Sequence, residues 1–85
     1  MAEVMQPLVC ICIPAYNAAA TIAATLDSVL RQNYPHFQVL VVDNQSTDGT
    51  ADIVRQIADP RLALHLNPIN IGGEGNFNRC IELAT

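Results

Sequence analysis

The residues best suited to chemistry are polar side chains that follow apolar, strand-like runs. The stretch VLVVDNQSTDGT, residues 39–50, leads four apolar residues into Asp43, and every residue after it is polar or glycine. A second polar run, PAYN at residues 14–17, follows another apolar run in the same way. An ionised carboxylate only accepts hydrogen bonds, so Asp43 at a rigid strand end could bind a donor group of a ligand.

The apolar pattern predicts three strands that would carry these polar runs. A continuous apolar run at residues 8–13 and a largely apolar run at residues 37–42 are typical of strands buried on both faces. The alternating run at residues 61–66 predicts a shorter or edge strand, followed by a loop over residues 67–73.

Helical spacing of apolar residues predicts a helix after each strand. The first covers residues 18–32, with Asn17 as its N-terminal cap. The second follows a turn-rich segment in which Thr47, Asp48 or Thr50 could cap it. The third has an apolar face formed by Phe77, Cys80, Ile81 and Ala84.

The order βαβαβα predicts the fold. Parallel neighbouring strands need crossover connections, and these place helices on both faces of the sheet. We therefore expect an α/β fold with three layers and a Rossmann-like parallel sheet. In such sheets ligands bind beyond the carboxyl ends of the strands, where the polar runs lie.

Composition excludes some classes of partner. The 85 residues are 51% apolar, with a net charge of −4 and four Lys+Arg in total. Such a chain lacks the basic patch that binds nucleic acid or an anionic bilayer, so we expect no nucleic-acid partner and no direct membrane contact. The apolar runs are also too short for a membrane helix. A cytoplasmic location is the resulting expectation.

The cysteines and histidines favour structural roles. Cys10 and Cys12 lie two apart in a predicted strand and share one face, but no further ligands stand at metal spacing. Two small buried apolar residues are a better interpretation than half of a thiolate site. His36 and His65 have no carboxylate or cysteine close in sequence.

Other α/β ligand sites lack a required part. A dinucleotide site needs G-x-G-x-x-G after the first strand, where this chain has PAYN. The glycines at positions 72, 73 and 75 follow the third strand instead, and no G-K-[ST] follows them to form a phosphate loop. A phospho-acceptor receiver domain would need an acidic pair after the first strand, and ICIPAYN contains no acid.

The ordered motifs Pro-x-Tyr-Asn and Val-Val-Asp-x-x-Ser-x-Asp-x-Thr resemble the start of the family 2 glycosyltransferases, which are inverting enzymes of GT-A fold. The resemblance covers residues 9–54 closely, and Asn70-x-Gly72 with Asn78 resembles the next family element. It implies the N-terminal half of a GT-A fold, with residues 1–85 as the nucleotide-sugar-binding part of a domain truncated before its metal-binding motif. The implied activity is hexosyl transfer from a UDP-, GDP- or dTDP-sugar to an acceptor.

The resemblance also implies the nucleotide-binding residues. Asp43 would accept a hydrogen bond from the base, and Tyr16 would lie against the ring. The remaining contacts would come from the wall and the far side of the pocket: Pro14, Ala15, Asn17, Gly72 and Asn78.

Departures from the family pattern limit what the chain supplies. Many relatives have a second acid where this chain has Asn44. Phe77 stands where an arginine often precedes the asparagine, and Arg79 is turned by about 100°, so no diphosphate contact is expected from it. The family's metal-binding acidic pair and its general base would follow residue 85. We therefore expect no catalytic residue and no metal ligand here, with Mg or Mn bound in a full-length protein.

An alternative hypothesis is a non-catalytic binding or self-assembling α/β module. An unpaired edge on the third strand would let two copies pair into a homo-oligomer.

Overall fold

A computed structural model of the protein describes residues 8–32 and 35–84, and its elements alternate as the apolar pattern predicts. The six elements are β1 (Val9–Ala15), α1 (Ile22–Leu30), β2 (Phe37–Asp43), α2 (Thr50–Arg55), β3 (Leu62–Leu66) and α3 (Gly72–Ala84). The expected βαβαβα order is therefore confirmed. The second helix is shorter than the helical spacing of Ile53, Val54 and Ile57 predicts, since it ends at Arg55.

The strands form one parallel sheet in the order β1-β2-β3. β2 is the central strand, and Val39, Val41 and Val42 on it are each at most 1% exposed. The register aligns Ala15 with Asp43 and Asp43 with Leu66 at the carboxyl edge. The three polar loops therefore leave the sheet side by side.

The helices cover both faces of the sheet, as expected. α1 and α2 pack on the face that carries Val39 and Val41, where Leu26 is fully buried at the centre of the apolar cluster. α3 packs on the opposite face, mainly against β1. Three layers result, with the larger apolar core on the side of α1 and α2.

The prediction of which residues form the buried face of α3 is wrong except for Cys80. Asn76 and Cys80 are its buried residues, whereas Phe77 is 57% and Ile81 53% exposed; Ala84 is exposed as well. One residue turns a helical side chain by about 100°, so a helix that packs Asn76 and Cys80 onto the sheet presents Phe77 and Ile81 away from it.

The cysteines lie between β1 and α3. Cys12 Sγ donates to the backbone oxygen of Cys80 at 3.5 Å, and all three cysteines are free thiols. Burial, with the neighbouring Cys80, raises the pKa of Cys12 to about 12. Within the two described ranges, no cluster of His, Cys, Asp and Glu could hold a metal ion.

None of the helices in the described parts of the chain combines the length and the apolar character that a membrane span requires.

Arg61 ties the start of β3 to the rest of the fold. Its guanidinium donates to Asp59 and, at 3.0 Å, to the backbone oxygen of Leu30 at the end of α1. It also lies 4.6 Å from the ring centroid of Phe37, within the range of a cation–π contact. One side chain thus joins α1, β2 and β3.

This pair predicts a specific response to acid. Hydrogen bonds from the side chain and backbone of Arg61 lower the pKa of Asp59 from 3.8 to about 2. Because the folded-state pKa lies below the unfolded value, the carboxylate stabilises the fold fully above pH 3.8, and this stabilisation is lost as the pH falls through about 2. Asp59→Asn should therefore be less stable than the parent near neutral pH, and the two should converge at about pH 2. Urea unfolding across this range, followed by circular dichroism, measures the difference; a gap that does not narrow contradicts the prediction.

Candidate functional site

Two polar loops at the carboxyl edge of the sheet are joined by a set of hydrogen bonds that we call the loop clamp. Backbone N–H groups of residues 17–19 donate to side chains of the second loop: Asn17 to Ser46 Oγ at 2.8 Å, Ala18 to Thr50 Oγ1 at 2.9 Å and Ala19 to Asp48 Oδ2 at 3.0 Å. In return, Thr47 N donates to Asn17 Oδ1 at 2.8 Å. The polar run after β2 therefore fixes the loop after β1.

The clamp replaces the helix caps that the sequence suggests. The N-terminal cap of α1 is Thr21, and Asn17 instead has a positive φ of 47°. Gly49 is the cap residue of α2, while Asp48 Oδ1 accepts from Thr50 N at 3.1 Å and from the Thr50 hydroxyl. Hydrogen bonds from Thr50 and Ala19 lower the pKa of Asp48 below 3.8.

Asp43 is almost completely enclosed. It is 2% exposed, its Oδ2 accepts from Ser46 N at 3.0 Å, and its Oδ1 accepts from the Ser46 hydroxyl. Asp43 shares the face of Val41, towards α1 and α2, because strand side chains alternate. Each carboxylate oxygen keeps a second lone pair, and Asp43 borders a cavity beside α2, so the expected hydrogen bond from a ligand stays a prediction.

On the other face, Asn44 is the centre of a group of hydrogen-bonded amides that we call the asparagine network. Asn44 Nδ2 donates to Asn70 Oδ1 and to Gly72 O, each at 3.1 Å. Asn44 Oδ1 accepts from Asn67 Nδ2 at 3.1 Å and from Ile71 N at 2.9 Å. Both hydrogens and both lone pairs of this amide are therefore used.

The network continues from Asn67 into α3. Asn67 Nδ2 also donates to Asn76 Oδ1 at 2.8 Å, and Asn76 Nδ2 donates to Val42 O at 3.1 Å. Because Asn67 Nδ2 donates to both Asn44 Oδ1 and Asn76 Oδ1, the orientation of the Asn67 amide is fixed. Asn67 Oδ1 is consequently a buried acceptor without a partner in the described part of the chain.

A cavity of about 430 Å³ opens beside the network. We call it the α3-side cavity; its lining residues are Pro14, Ala15, Tyr16, Asn44, Asn70, Gly73 and Asn76. None of these side chains is charged, and Tyr16 is 53% exposed. The cavity thus combines an aromatic face with amide groups, a lining suited to a neutral, flat, hydrogen-bonding ligand.

The structure brings some of the predicted nucleotide contacts together and separates others. Pro14, Ala15 and Tyr16 line the α3-side cavity. Gly72 lies beside it, with its carbonyl bound by Asn44 and a φ of 80° that favours glycine. The predicted residues outside the lining are Asn17, held in the loop clamp, Asp43, which opens on a separate cavity beside α2, and Asn78, exposed on α3.

Four lining residues were not predicted from the sequence. Asn70 and Gly73 belong to the predicted loop, where only Gly72 was assigned a role. Asn76 gives a usable signal, since a polar residue four positions before Cys80 shares its buried helical face. Asn44 follows Asp43 directly in the sequence. The two residues differ in the face of the sheet to which their side chains point.

Among the residues that the structure describes, the cavity lining contains no positively charged side chain. All four Lys+Arg residues of the chain are arginines that pair with an acid: Arg31 with Asp27, Arg55 with Asp52, Arg61 with Asp59 and Arg79 with Glu82. The residues that the structure describes also contain no group that fits a divalent metal. None of the four arginines belongs to the cavity lining.

Comparison with known proteins identifies similar sequences. Residues 10–85 match the sequence profile of Glycosyl transferase family 2. A UDP-Glc:alpha-D-GlcNAc-diphosphoundecaprenol beta-1,3-glucosyltransferase of Escherichia coli is 38% identical over 78 residues, which are 92% of this chain and 31% of that protein. An amylovoran biosynthesis glycosyltransferase of Erwinia amylovora is 39% identical over 77 residues, covering 86% of this chain and 26% of the relative.

A solved structure has the same fold. The mannosyltransferase PcManGT from Pyrobaculum calidifontis, in complex with GDP-Man and Mn2+, aligns with a TM-score of 0.83 and 34% identity over 95% of this chain and 25% of its own. This likeness confirms the three-layer parallel α/β architecture expected for the N-terminal half of a GT-A domain. The chain spans about a quarter to a third of the relatives it matches.

The loop clamp predicts that the Thr50 hydroxyl stabilises the fold. Thr50 is fully buried, and its hydroxyl bonds both Asp48 and the backbone of Ala18. Thr50→Val keeps the shape but leaves the Ala18 N–H without an acceptor and removes one of the two hydrogen bonds to Asp48 Oδ1, which should lower the free energy of unfolding by about 1–3 kcal/mol. It should also raise the pKa of Asp48, whose lowering comes first from this hydroxyl.

Urea unfolding and an NMR titration of the Asp48 carboxyl measure the two effects. Thr25→Val is the matched control, because Thr25 is exposed on α1 and surface substitutions usually change stability by less than about 0.5 kcal/mol. Equal losses in both variants would contradict the clamp.

Proposed function

Because the chain belongs to glycosyl transferase family 2, we propose that it forms the donor-nucleotide portion of an inverting glycosyltransferase. The complete enzyme would transfer a hexosyl group from a UDP-, GDP- or dTDP-sugar to an acceptor hydroxyl and release the nucleoside diphosphate. Its location in the cytoplasm is part of the proposal. The reaction would need a general base and stabilisation of the departing diphosphate, which we assign to other parts of the enzyme.

The observation that carries this proposal is the uncharged, aromatic and amide-lined cavity at the carboxyl edge of a parallel sheet. Sheets of this type bind ligands at that edge. A base is the neutral and flat part of a nucleotide sugar, and an exposed Tyr16 ring can stack on it. Pro14 and Ala15 would form the wall beside it.

The roles of the other predicted contacts are part of the proposal in modified form. Asp43 would hold Ser46 in place, and the lone pairs that these two bonds leave free would accept from a ligand group that enters the cavity beside α2. Asn17 would hold the loop that carries Tyr16, and Gly72 would hold the loop that faces it. Asn78 would contact only a part of the donor that extends out of the cavity.

The relatives support a nucleotide sugar as the ligand. The Escherichia coli relative is named for UDP-Glc, and PcManGT was solved with GDP-Man and Mn2+. A Mg or Mn ion would accordingly be held elsewhere in a complete enzyme, because the described residues do not offer a metal site.

The stacking role of Tyr16 predicts a loss of affinity on truncation. Stacking of a base on an aromatic side chain contributes about 1–3 kcal/mol, so Tyr16→Ala should weaken UDP binding by about tenfold or more. Chemical shifts of residues 14–17 during an NMR titration with UDP give the dissociation constant. The fold should be retained, because Tyr16 is about half exposed.

Phe77→Ala is the matched control, since Phe77 is 57% exposed on α3 and outside the cavity lining. It should bind UDP like the parent. If no shift appears at residues 14–17 or 43–46 with UDP, GDP or dTDP at millimolar concentration, the proposed function is wrong.

Self-assembly is a second candidate, favoured by the edges of the sheet. Each outer strand has one side without a neighbour among the described residues, and β1 carries no charged residue that would oppose pairing. Sedimentation velocity over roughly a hundredfold concentration range should then detect a dimer, and Val9→Lys should prevent it. A constant monomer mass would contradict this candidate.

A further inference from the structure

Asn70 is an exposed residue in the lining of the α3-side cavity, and its amide has a fixed orientation. Its Oδ1 accepts from Asn44 Nδ2 at 3.1 Å and from Gly72 N at 2.8 Å. These two bonds use both lone pairs of the oxygen. Asn70 Nδ2 has no acceptor among the described residues, so this NH₂ group is the part of the side chain that remains for a ligand.

The amide cannot reverse without a penalty. A flipped Asn70 would direct its NH₂ group at two other donors, the Asn44 amide nitrogen and the Gly72 N–H. Asn44 cannot turn to compensate, because Gly72 O, Asn67 Nδ2 and Ile71 N hold it on its other sides. The asparagine network therefore leaves a donor, and not an acceptor, as the unpaired group of this lining residue.

We propose that Asn70 determines base specificity by donating to a keto oxygen, which selects uracil, thymine or guanine over cytosine and adenine. This rests on the proposed function, in which the cavity holds the base. A keto oxygen accepts the Asn70 hydrogen, whereas the exocyclic amino group of cytosine or adenine would place donor against donor. Tyr16 contributes affinity without this discrimination, because every base has an aromatic face.

UDP and CDP provide the test, because they carry the same diphosphate and differ at the base. One hydrogen bond contributes about 1 kcal/mol, so the parent chain should bind UDP about fivefold tighter than CDP in an NMR titration. GDP should rank with UDP, and ADP with CDP.

Asn70→Asp reverses the donor with little change of shape. One carboxylate oxygen can still accept from Asn44 and Gly72, while the other replaces the NH₂ group with an acceptor. The ratio of UDP to CDP affinity should fall to about one or below, since the amino group of cytosine then has a partner. The added charge repels both diphosphates equally and cancels in the ratio.

Two further variants complete the test. Gln32→Glu adds the same charge beyond the end of α1, away from the cavity lining, and should keep the parent ratio. Asn70→Ala removes the donor without adding charge and should bring the ratio near one, which keeps the proposal testable if Asn70→Asp does not fold.

Equal affinity of the parent chain for UDP and CDP would overturn the inference alone, as would an unchanged ratio in a folded Asn70→Asp or Asn70→Ala. Failure of all four nucleotides to bind would overturn the proposed function and this inference with it.

Discussion

Asn44 is only 2% exposed, so its side-chain amide needs hydrogen-bond partners within the protein. The structure at the carboxyl edge of the sheet depends largely on the groups that provide them. A buried polar group without partners costs about 1–3 kcal/mol, so the surrounding chain must supply two acceptors and two donors. It does so with side chains and backbone of residues 67–72, which places this loop against the end of β2. The wall of the α3-side cavity therefore follows from the hydrogen-bonding needs of one side chain.

Because successive side chains of a strand point to opposite faces, the two residues at the end of β2 have different structural roles. Asp43 turns towards α1 and α2, where Ser46 binds it, and the residues after Ser46 clamp the loop that carries Tyr16. Asn44 turns towards α3 and fixes the opposite wall. Both sides of the cavity are thus held in place by the two residues that follow Val42. The hydroxyl-rich run that suggests ligand chemistry in the sequence is largely used to position backbone.

The order of elements could be predicted because it depends on apolar periodicity, which the sequence displays directly. Buried runs such as residues 37–42 appear as strands in the structure. The site could be predicted only in part, since it depends on the direction in which individual side chains point. Asp43 and Asn44 are adjacent and face opposite sides, and Asn76 rather than Phe77 is buried in α3. Asn17 resembles a helix cap in sequence, but in the structure it has a positive φ and accepts a hydrogen bond from Thr47, which is 30 residues away. The local sequence pattern does not reveal such a long-range contact.

Charge explains what kind of discrimination this edge can make. The cavity lining is neutral, so no charged side chain in it distinguishes one ligand from another. In a neutral cavity, selection comes from the match of donors and acceptors, because a mispaired polar group loses its hydrogen bonds to water without replacement. That match requires amides of fixed orientation, since an amide that turned freely would serve a donor and an acceptor equally well. The asparagine network provides such orientation, and the same bonds that stabilise the loop define the polarity that a ligand would meet.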